Sequence, residues 1–294
     1  MNIIGTGLSG LVGSRVVAIL GNAHSFEDLS LESGVDITKF DDVEKRLTAS
    51  LASWVFHFAA YTDVQGAENE RALGEQSTAW KVNVLATQNI ADNCRKLGKK
   101  LLYIDTDYAF DGKKKSYTEE DTPSPLGWYA ITKSEGAKRV LASGGLVIRI
   151  SNPYRARPIG LPASWRGKKD FVHKMLERMQ SGQPVTGATD QLFVPTFIDD
   201  IAAALKALIK INATGIYHVV SAPPLSPFDA GVALAQTFGF DKNLVKSTTF
   251  AEMFADRAPT PQYAVLKNDK IRSLNVFMHS FIEGIAEVKK QEAL

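Results

Sequence analysis

Cysteine is almost missing: Cys94 stands alone among 294 residues. One thiol excludes an intrachain disulfide and a multi-thiolate metal site, and it fits a reducing compartment. An excess of either charge is missing too. Lys plus Arg is 34 against 32 for Asp plus Glu, a net +2, so nothing points to a nucleic-acid or anionic-membrane partner. No apolar run approaches the roughly 20 residues that span a bilayer. No basic segment precedes the first apolar stretch, so no signal peptide is expected, and the chain reads as soluble and cytoplasmic. The histidines His24, His57, His173, His218 and His279 are scattered. None is paired at the i, i+4 spacing of a helical metal site, and no protein-bound catalytic metal is expected. Repeats and low-complexity tracts are absent. With 45% hydrophobic and 22% charged residues, disorder and fibrous classes are excluded.

What is present is an alternation of strands and helices. Asn2 to Gly5 is a short apolar strand, followed by a glycine turn and a helix over Leu11 to Leu20. Ser53 to Ala60, Lys100 to Ile104 and Gly145 to Ile150 are further apolar runs. Helical spacing fills Thr78 to Leu97 and Tyr129 to Leu141. Strand alternating with helix implies right-handed βαβ units around a parallel sheet. The predicted fold is α/β, a Rossmann-type doubly wound parallel sheet, with a smaller C-terminal lobe that binds substrate. Residues 1–150 form the NAD(P)-binding part and 151–294 mainly the lobe, with 196–220 returning to the sheet. The pattern changes after residue 150. Asn152 to Lys169 is dense in proline, glycine and arginine, helices follow at Phe171 to Gln180 and Ile198 to Ile211, and Gly215 to Val220 reads as a strand.

Gly7-Leu8-Ser9-Gly10-Leu11-Val12-Gly13 sits directly between strand and helix. The first glycine permits the tight turn, the second lets backbone approach a pyrophosphate, and the third lets helix and strand pack closely. The helix start, at Leu11 and Val12, offers free N–H groups to the anion. An acidic residue about 20 positions later would hold the adenosine ribose. Glu27, Asp28 and Glu32 are nearby, but none ends a recognisable strand. The lack of arginine from Gly21 to Thr38 leans toward NAD over NADP. Asp36, between Val35 and Ile37, either meets the adenine edge or caps the segment starting near Thr38.

Tyr129 and Lys133 lie four residues apart and so on one helical face. A phenol with pKa near 10 is a poor acid–base catalyst at neutrality, and a nearby ammonium is expected to lower that value. The pair can then exchange a proton with a carbonyl or alcohol oxygen. Upstream, Tyr103 to Gly112 leaves a strand through Thr106, Asp107 and Tyr108. Ligands of open parallel sheets sit beyond the carboxyl ends of the strands, which puts the Thr106 hydroxyl at the same substrate oxygen.

These residues, taken together, resemble the extended short-chain dehydrogenase/reductases, and within them the dTDP-4-dehydrorhamnose reductase family. The likeness runs from Gly7–Gly13 through Val35-Asp36-Ile37-Thr38, then His57-Phe58-Ala59-Ala60-Tyr61-Thr62-Asp63-Val64 with Ala67-Glu68, and Val82-Asn83-Val84. It continues through Thr106 to Gly112, Tyr117-x-Glu119 and Tyr129-x-x-x-Lys133. Asp190-Gln191-x-x-x-Pro195-Thr196, Gly215-Ile216-Tyr217-His218 and Arg257-Ala258-Pro259 complete it. The resemblance implies hydride transfer from NADH or NADPH to a 4-keto carbon of a sugar nucleotide. Tyr129 would protonate the forming alkoxide, Thr106 would polarise the carbonyl, and Lys133 would bind ribose and tune Tyr129. Gly7, Gly10, Leu11, Val12 and Gly13 would hold the pyrophosphate, Asp36 and Ile37 would meet adenine, and Ala59, Ala60 and Tyr61 would line the cofactor cleft. Asp107 and Asn152 would face the substrate. Arg166, Lys168 and Lys169, just before the lobe helix, would dock its diphosphate, or else form a solvated basic loop. The family leaves room for a homodimer and for Mg²⁺ at a subunit contact, although the sequence holds no acidic cluster that reproduces such a site.

Departures are specific. Asp105 stands where the family has Ser, Ala130 where it has Gly, and Phe193 where it has Gly. Ser151-Asn152-Pro153-Tyr154-Arg155 replaces a Ser-Trp-x-Tyr-Gly run, and Asp170 replaces an Asn. Several of these fall on the substrate side. Dehydratases of the superfamily follow their Thr with Asp and Glu, whereas Asp107 is followed by Tyr108, so elimination lacks its second carboxylate. Epimerase–reductases need a pocket Cys and His, which Cys94 on its helix does not supply. A 4-epimerase uses the same Tyr, Lys and hydroxyl and stays open as an alternative. So does a cofactor-binding regulatory subunit like that of methionine adenosyltransferase, although Thr106, Tyr129 and Lys133 together favour an enzyme.

Overall fold

A computed structural model describes residues 1–158 and 169–293. Its strands, in chain order, are β1 (Asn2–Thr6), β2 (Ser25–Asp28), β3 (Trp54–His57), β4 (Lys100–Thr106) and β5 (Leu146–Ile150), then β6 (Val185–Ala188), β7 (Leu192–Phe193), β8 (Gly215–His218), β9 (Val245–Thr248) and β10 (Tyr263–Ala264). Six of them form one sheet in the order β2-β1-β3-β4-β5-β8, with every neighbouring pair parallel. β3 and β5 are buried along their whole length, as expected of strands covered by helices on both faces, and they read as near-continuous apolar runs.

Two apolar cores flank the sheet. On one face, Val16 and Leu20 of the Leu11–Leu20 helix meet Ile201, Leu205 and Leu208 of the Ile198–Lys210 helix over Ile3, Phe56 and Ile148. On the other, the Phe40–Ala49, Ala86–Leu97 and Trp128–Ala142 helices close over Ile4, Val55, Leu101 and Val147. A third core is separate from the sheet. There the Phe171–Gln180, Pro227–Phe238 and Phe281–Glu292 helices pack around Tyr154, Phe197 and the β6–β9 pair.

Two elements differ from the sequence reading. The strand β2 has only Phe26 as an apolar anchor, is nowhere fully buried, and pairs with β1 alone. An edge strand needs few apolar residues, so its composition gave no signal. Its last residue is Asp28, so one of the three candidate acids does end a strand. The helical run Thr78–Leu97 is not one α-helix, because Lys81–Leu85 winds as a π-turn between α-helical Thr78–Trp80 and Ala86–Leu97. Such wider turns gather at functional sites. Here the turn brings Val82 to a cavity at the carboxyl ends of the strands. It also presents Asn83, whose Oδ1 accepts from Tyr61 N–H (2.8 Å) while its Nδ2 donates to Tyr61 O (3.1 Å) and to Thr132 Oγ1 (3.0 Å). Among the described residues no helix is long and apolar enough to cross a membrane.

Candidate active site

A cavity of about 710 Å³ opens at the carboxyl ends of the strands. One end is the glycine turn, with Gly7, Gly10, Leu11, Val12 and Gly13 all on its wall. Gly7 has φ +63°, a backbone region that costs a residue with Cβ about 1–2 kcal/mol, and a Cβ there would lie 2.7 Å from Ala59 N. A Cβ on Gly13 would stand 2.2 Å from Gly7 O. The turn therefore closes this tightly only with glycine at both places. Helix Leu11–Leu20 begins at Gly10 with no side-chain cap, which leaves its first amides to a ligand anion. Ala59 and Ala60 line the next stretch. This cradle suits a dinucleotide pyrophosphate.

The other end is the polar corner. Thr106 closes β4, and its Oγ1 donates to Asp107 Oδ1 (3.1 Å) and accepts from Tyr108 N–H (3.3 Å). Ser151 Oγ, just past β5, donates to the other oxygen of Asp107 at 2.6 Å. Burial pushes the Asp107 carboxyl up to about 6, opposed by the hydrogen bonds from Ser151 and Thr106. Tyr129 and Lys133 project from the Trp128–Ala142 helix onto the same wall. Lys133 Nζ donates to Ile104 O at 2.6 Å and lies 3.9 Å from the centre of the Tyr103 ring. Burial brings its ammonium down to about 8, with the Asp105 carboxylate opposing.

The phenol does not behave as the spacing alone predicts. Burial raises Tyr129 above its ordinary value, the facing Thr106 hydroxyl opposes this, and the carboxylates Asp105 and Asp107 add to the rise. Any lowering from Lys133 does not outweigh this burial; its ammonium donates to the Ile104 carbonyl and lies against the Tyr103 ring. A phenol that keeps its proton suits an acid that delivers one to an alkoxide. Beside it, Asp105 forms a buried ion pair with Arg149 (Nε to Oδ2, 3.0 Å) across the β4–β5 ladder.

The third wall comes from the lobe. Asn152, held at φ +38°, lines it with Pro153, Lys169, Asp170, Phe171 and Lys174. Asp170 caps the Phe171–Gln180 helix through His173 N–H (2.9 Å). The His173 ring bridges Asp170 (3.0 Å) and Glu292 (2.7 Å), linking this rim to the last helix. Burial disfavours the charged ring, but the hydrogen bonds to Asp170 and Glu292 outweigh it and hold the imidazole up at about 9. Lys169 Nζ pairs with Glu177 at 2.8 Å.

Most of the sequence-derived site residues meet in this one cavity: Thr106, Asp107, Tyr129, Lys133, Asn152 and Lys169, with the glycine turn, Ala59 and Ala60. Asp36, Ile37 and Tyr61 are not on its wall. Asp36 Oδ1 accepts from Thr38 N–H (3.0 Å) and Oγ1–H (2.7 Å), a local turn contact ahead of the helix that begins at Phe40. Tyr61 is held by its backbone to Asn83. Lys168 and Arg166 lie outside the described residues. Lys174 and Asp170 were not assigned a role from sequence, although their i, i+4 spacing on the lobe helix could have found them. His57 is a packed strand residue, bonded to Thr6 and Thr87 and brought down to about 3 by burial. Cys94 is buried, its thiol pushed up to about 12. No group of three or more His, Cys, Asp or Glu among the described residues gathers to hold a metal ion.

The chain is 32% identical over 262 residues to a probable low-salt glycan biosynthesis reductase of Haloferax volcanii, covering 84% of each chain. It is 30% identical over 273 residues to a dTDP-4-dehydrorhamnose reductase of Mycobacterium tuberculosis, covering 90% of this chain and 84% of that one. A solved dTDP-4-dehydrorhamnose reductase of Bacillus anthracis, in complex with NADP, superposes with a TM-score of 0.87 at 25% identity, covering 99% of both chains. The family model described as RmlD substrate binding domain matches residues 1–293, and the chain belongs to that family of extended short-chain dehydrogenase/reductases.

Proposed function

We propose that this chain reduces the 4-keto carbon of a (deoxy)sugar nucleotide, using NADH or NADPH. The observation that carries the reading is convergence: Thr106, Tyr129 and Lys133 face the cavity whose far end is the glycine turn. The coenzyme, when bound, supplies the hydride. The Thr106 hydroxyl turns its proton from Asp107 to the substrate carbonyl oxygen and stabilises the charge that develops there. Tyr129 gives that oxygen its proton. Lys133, fixed by Ile104 O, hydrogen-bonds the nicotinamide ribose and offsets the negative charge left on the phenol. Gly7, Gly10, Leu11, Val12 and Gly13 hold the pyrophosphate, and Ala59 and Ala60 border the cleft, with Tyr61 next along the chain.

Asp28, at the end of β2, receives the adenosine ribose, since a carboxylate there accepts from the 2′-hydroxyl and repels a 2′-phosphate. NADH is therefore the preferred coenzyme. Asp36 and Ile37 are assigned to the adenine edge. Asp107, Asn152 and Lys169 face the sugar nucleotide, and Lys168, outside the described residues, is assigned to the same ligand from the sequence alone. Residues 1–150 with 196–220 form the coenzyme part, and the remainder of 151–294 the substrate lobe. A nicotinamide-dependent reductase with a buried, unpaired Cys94 fits the cytoplasm.

The test is a set of 4-keto-6-deoxy sugar nucleotides offered with NADH and NADPH separately, following loss of nicotinamide absorbance. Turnover is expected with the higher kcat/KM for NADH, and Tyr129→Phe is expected to lower kcat by about 10²–10⁴-fold. Full activity in Tyr129→Phe would remove the assigned proton donor. Conversion of sugar with no net loss of NADH would identify a 4-epimerase instead.

A further inference from the structure

Thr106 and Asp107 stand side by side on the cavity wall, and one hydroxyl proton is wanted in two places. A threonine hydroxyl has one proton to give and two lone pairs that accept. Here the Thr106 proton goes to Asp107 Oδ1 at 3.1 Å, and one lone pair takes Tyr108 N–H at 3.3 Å. The reduction proposed above needs that same proton at the substrate carbonyl. A carboxylate is a strong competitor for it, because hydrogen bonds to an ionised partner are about twice as strong as neutral ones. An ionised Asp107 therefore holds the hydroxyl away from the substrate. A neutral Asp107 reverses the contact. Its O–H donates to the second lone pair of Thr106 Oγ1, Tyr108 N–H keeps the first, and the threonine proton is released toward the cavity.

The surroundings favour the neutral form. Asp107 is 2% exposed and forms no ion pair among the described residues. Lys133, on the same wall, is given to Ile104 O, and Arg149 to Asp105. The titratable groups that face Asp107 are the Tyr129 phenol, from the Trp128–Ala142 helix, and the Tyr108 phenol, next along the chain, and its charge helps to push both of them up. Ser151 Oγ donates to it at 2.6 Å from just past β5. That bond, the one from Thr106 and the backbone N–H groups of Asp107 and Tyr108 favour the carboxylate, but burial outweighs them. A sugar nucleotide seated over this corner excludes more water and favours the neutral carboxyl further.

We propose that Asp107 is the positioning residue that arms Thr106: as a neutral carboxyl it donates to Thr106 Oγ1 and turns the threonine hydroxyl onto the substrate oxygen, and as a carboxylate it withdraws that hydroxyl. This inference rests on the reductase reading above. Asp107 consumes no proton, since the one that reaches the product oxygen comes from Tyr129. Ser151 sets the balance, because its hydrogen bond stabilises the carboxylate and with it the disarmed arrangement.

Measuring kcat/KM for a 4-keto-6-deoxy sugar nucleotide at saturating NADH, from about pH 5 to about pH 9, reads this switch. Enzyme-free blanks remove the acid decay of NADH. With the Asp107 carboxyl pushed up to about 6, the intact chain is expected to lose about tenfold between about pH 5 and about pH 7. A second fall near 8, from Lys133, is expected in every variant. The shape of the profile is compared, not its height. Asp107→Asn, whose amide donates to Thr106 at every pH, is expected to lack the first fall. Ser151→Ala removes a hydrogen bond that favours the carboxylate, so its first fall is expected at higher pH. A first fall that persists in Asp107→Asn overturns the inference. So does a first fall that stays in place or moves to lower pH in Ser151→Ala, or a rise through about pH 6 in the intact chain. Should Asp107→Asn not fold, Ser151→Ala decides alone. No turnover of any such substrate by the intact chain removes the reductase reading and this inference with it, whereas turnover without the first fall removes this inference alone.

Discussion

The corner holding Thr106, Tyr129 and Lys133 and the rim running from Asn152 to Lys174 border one cavity but are built differently. The corner stands on β4 and on a helix packed into the sheet core, and Lys133 is 3% exposed. The rim stands on a loop and the start of the lobe helix, and the Lys169 side chain is 36% exposed. Charges in the corner act through short contacts in a medium that excludes water, where each is worth more. The lysine charges on the rim, Lys169 and Lys174, are screened and exchangeable. On the proposed reading, the reaction is fixed by the sheet, and the choice of substrate is left to the rim.

Four substitutions would break or sharpen that contrast. The largest effect is expected at the glycine end. Gly13→Ala puts a methyl 2.2 Å from Gly7 O, and the turn must open to accept it. NADH affinity should fall more than about tenfold and the melting temperature should drop, since overpacking of a closed site costs about 1–3 kcal/mol. Calorimetric titration and a thermal melt check both, and unchanged affinity would mean the turn is looser than described.

The next largest concerns how firmly the rim is anchored. His173 is held above its ordinary value, at about 9. The stability it contributes is fully present below about pH 6.5 and is lost as pH rises through about 9. His173→Gln should therefore melt lower than the intact chain at pH 6, by a free energy on the order of 3 kcal/mol, and the gap should close above pH 9. A gap independent of pH would show that packing, not the charge bridge between Asp170 and Glu292, sets the anchor.

The smallest effect belongs to the exposed cations. Lys169→Gln and Lys174→Gln should each raise KM for the sugar nucleotide by up to about fivefold, as exposed ion contacts do, and leave kcat near its original value. Equal loss in kcat would move these lysines from substrate capture to the chemical step.

The same contrast explains what could be read from sequence. Gly7, Gly10 and Gly13 announce themselves because backbone closeness tolerates no other residue, and Tyr129 with Lys133 because helical spacing fixes them on one face. β2 could not be read, since an edge strand with Ser25, Glu27 and Asp28 carries one apolar side chain and no clear alternation. The π-turn at Lys81–Leu85 lies inside an ordinary helical pattern and is revealed only by what Val82 and Asn83 touch. The rise of the Tyr129 phenol depends on burial by residues distant in sequence, which spacing cannot report. Arg155 lies in a stretch dense in arginine, and only its bond to Ser14, far back in the chain, gives it a place.

The position of β8 has a practical corollary. After supplying the rim, the chain comes back through the Ile198–Lys210 helix to lay a sixth strand on the sheet. A cut at residue 150 would strip that strand from β5 and uncover the apolar side where Ile201, Leu205 and Leu208 sit. Swapping rims between relatives to redirect specificity therefore calls for two splice points, one on either side of the excursion, rather than a single fusion joint.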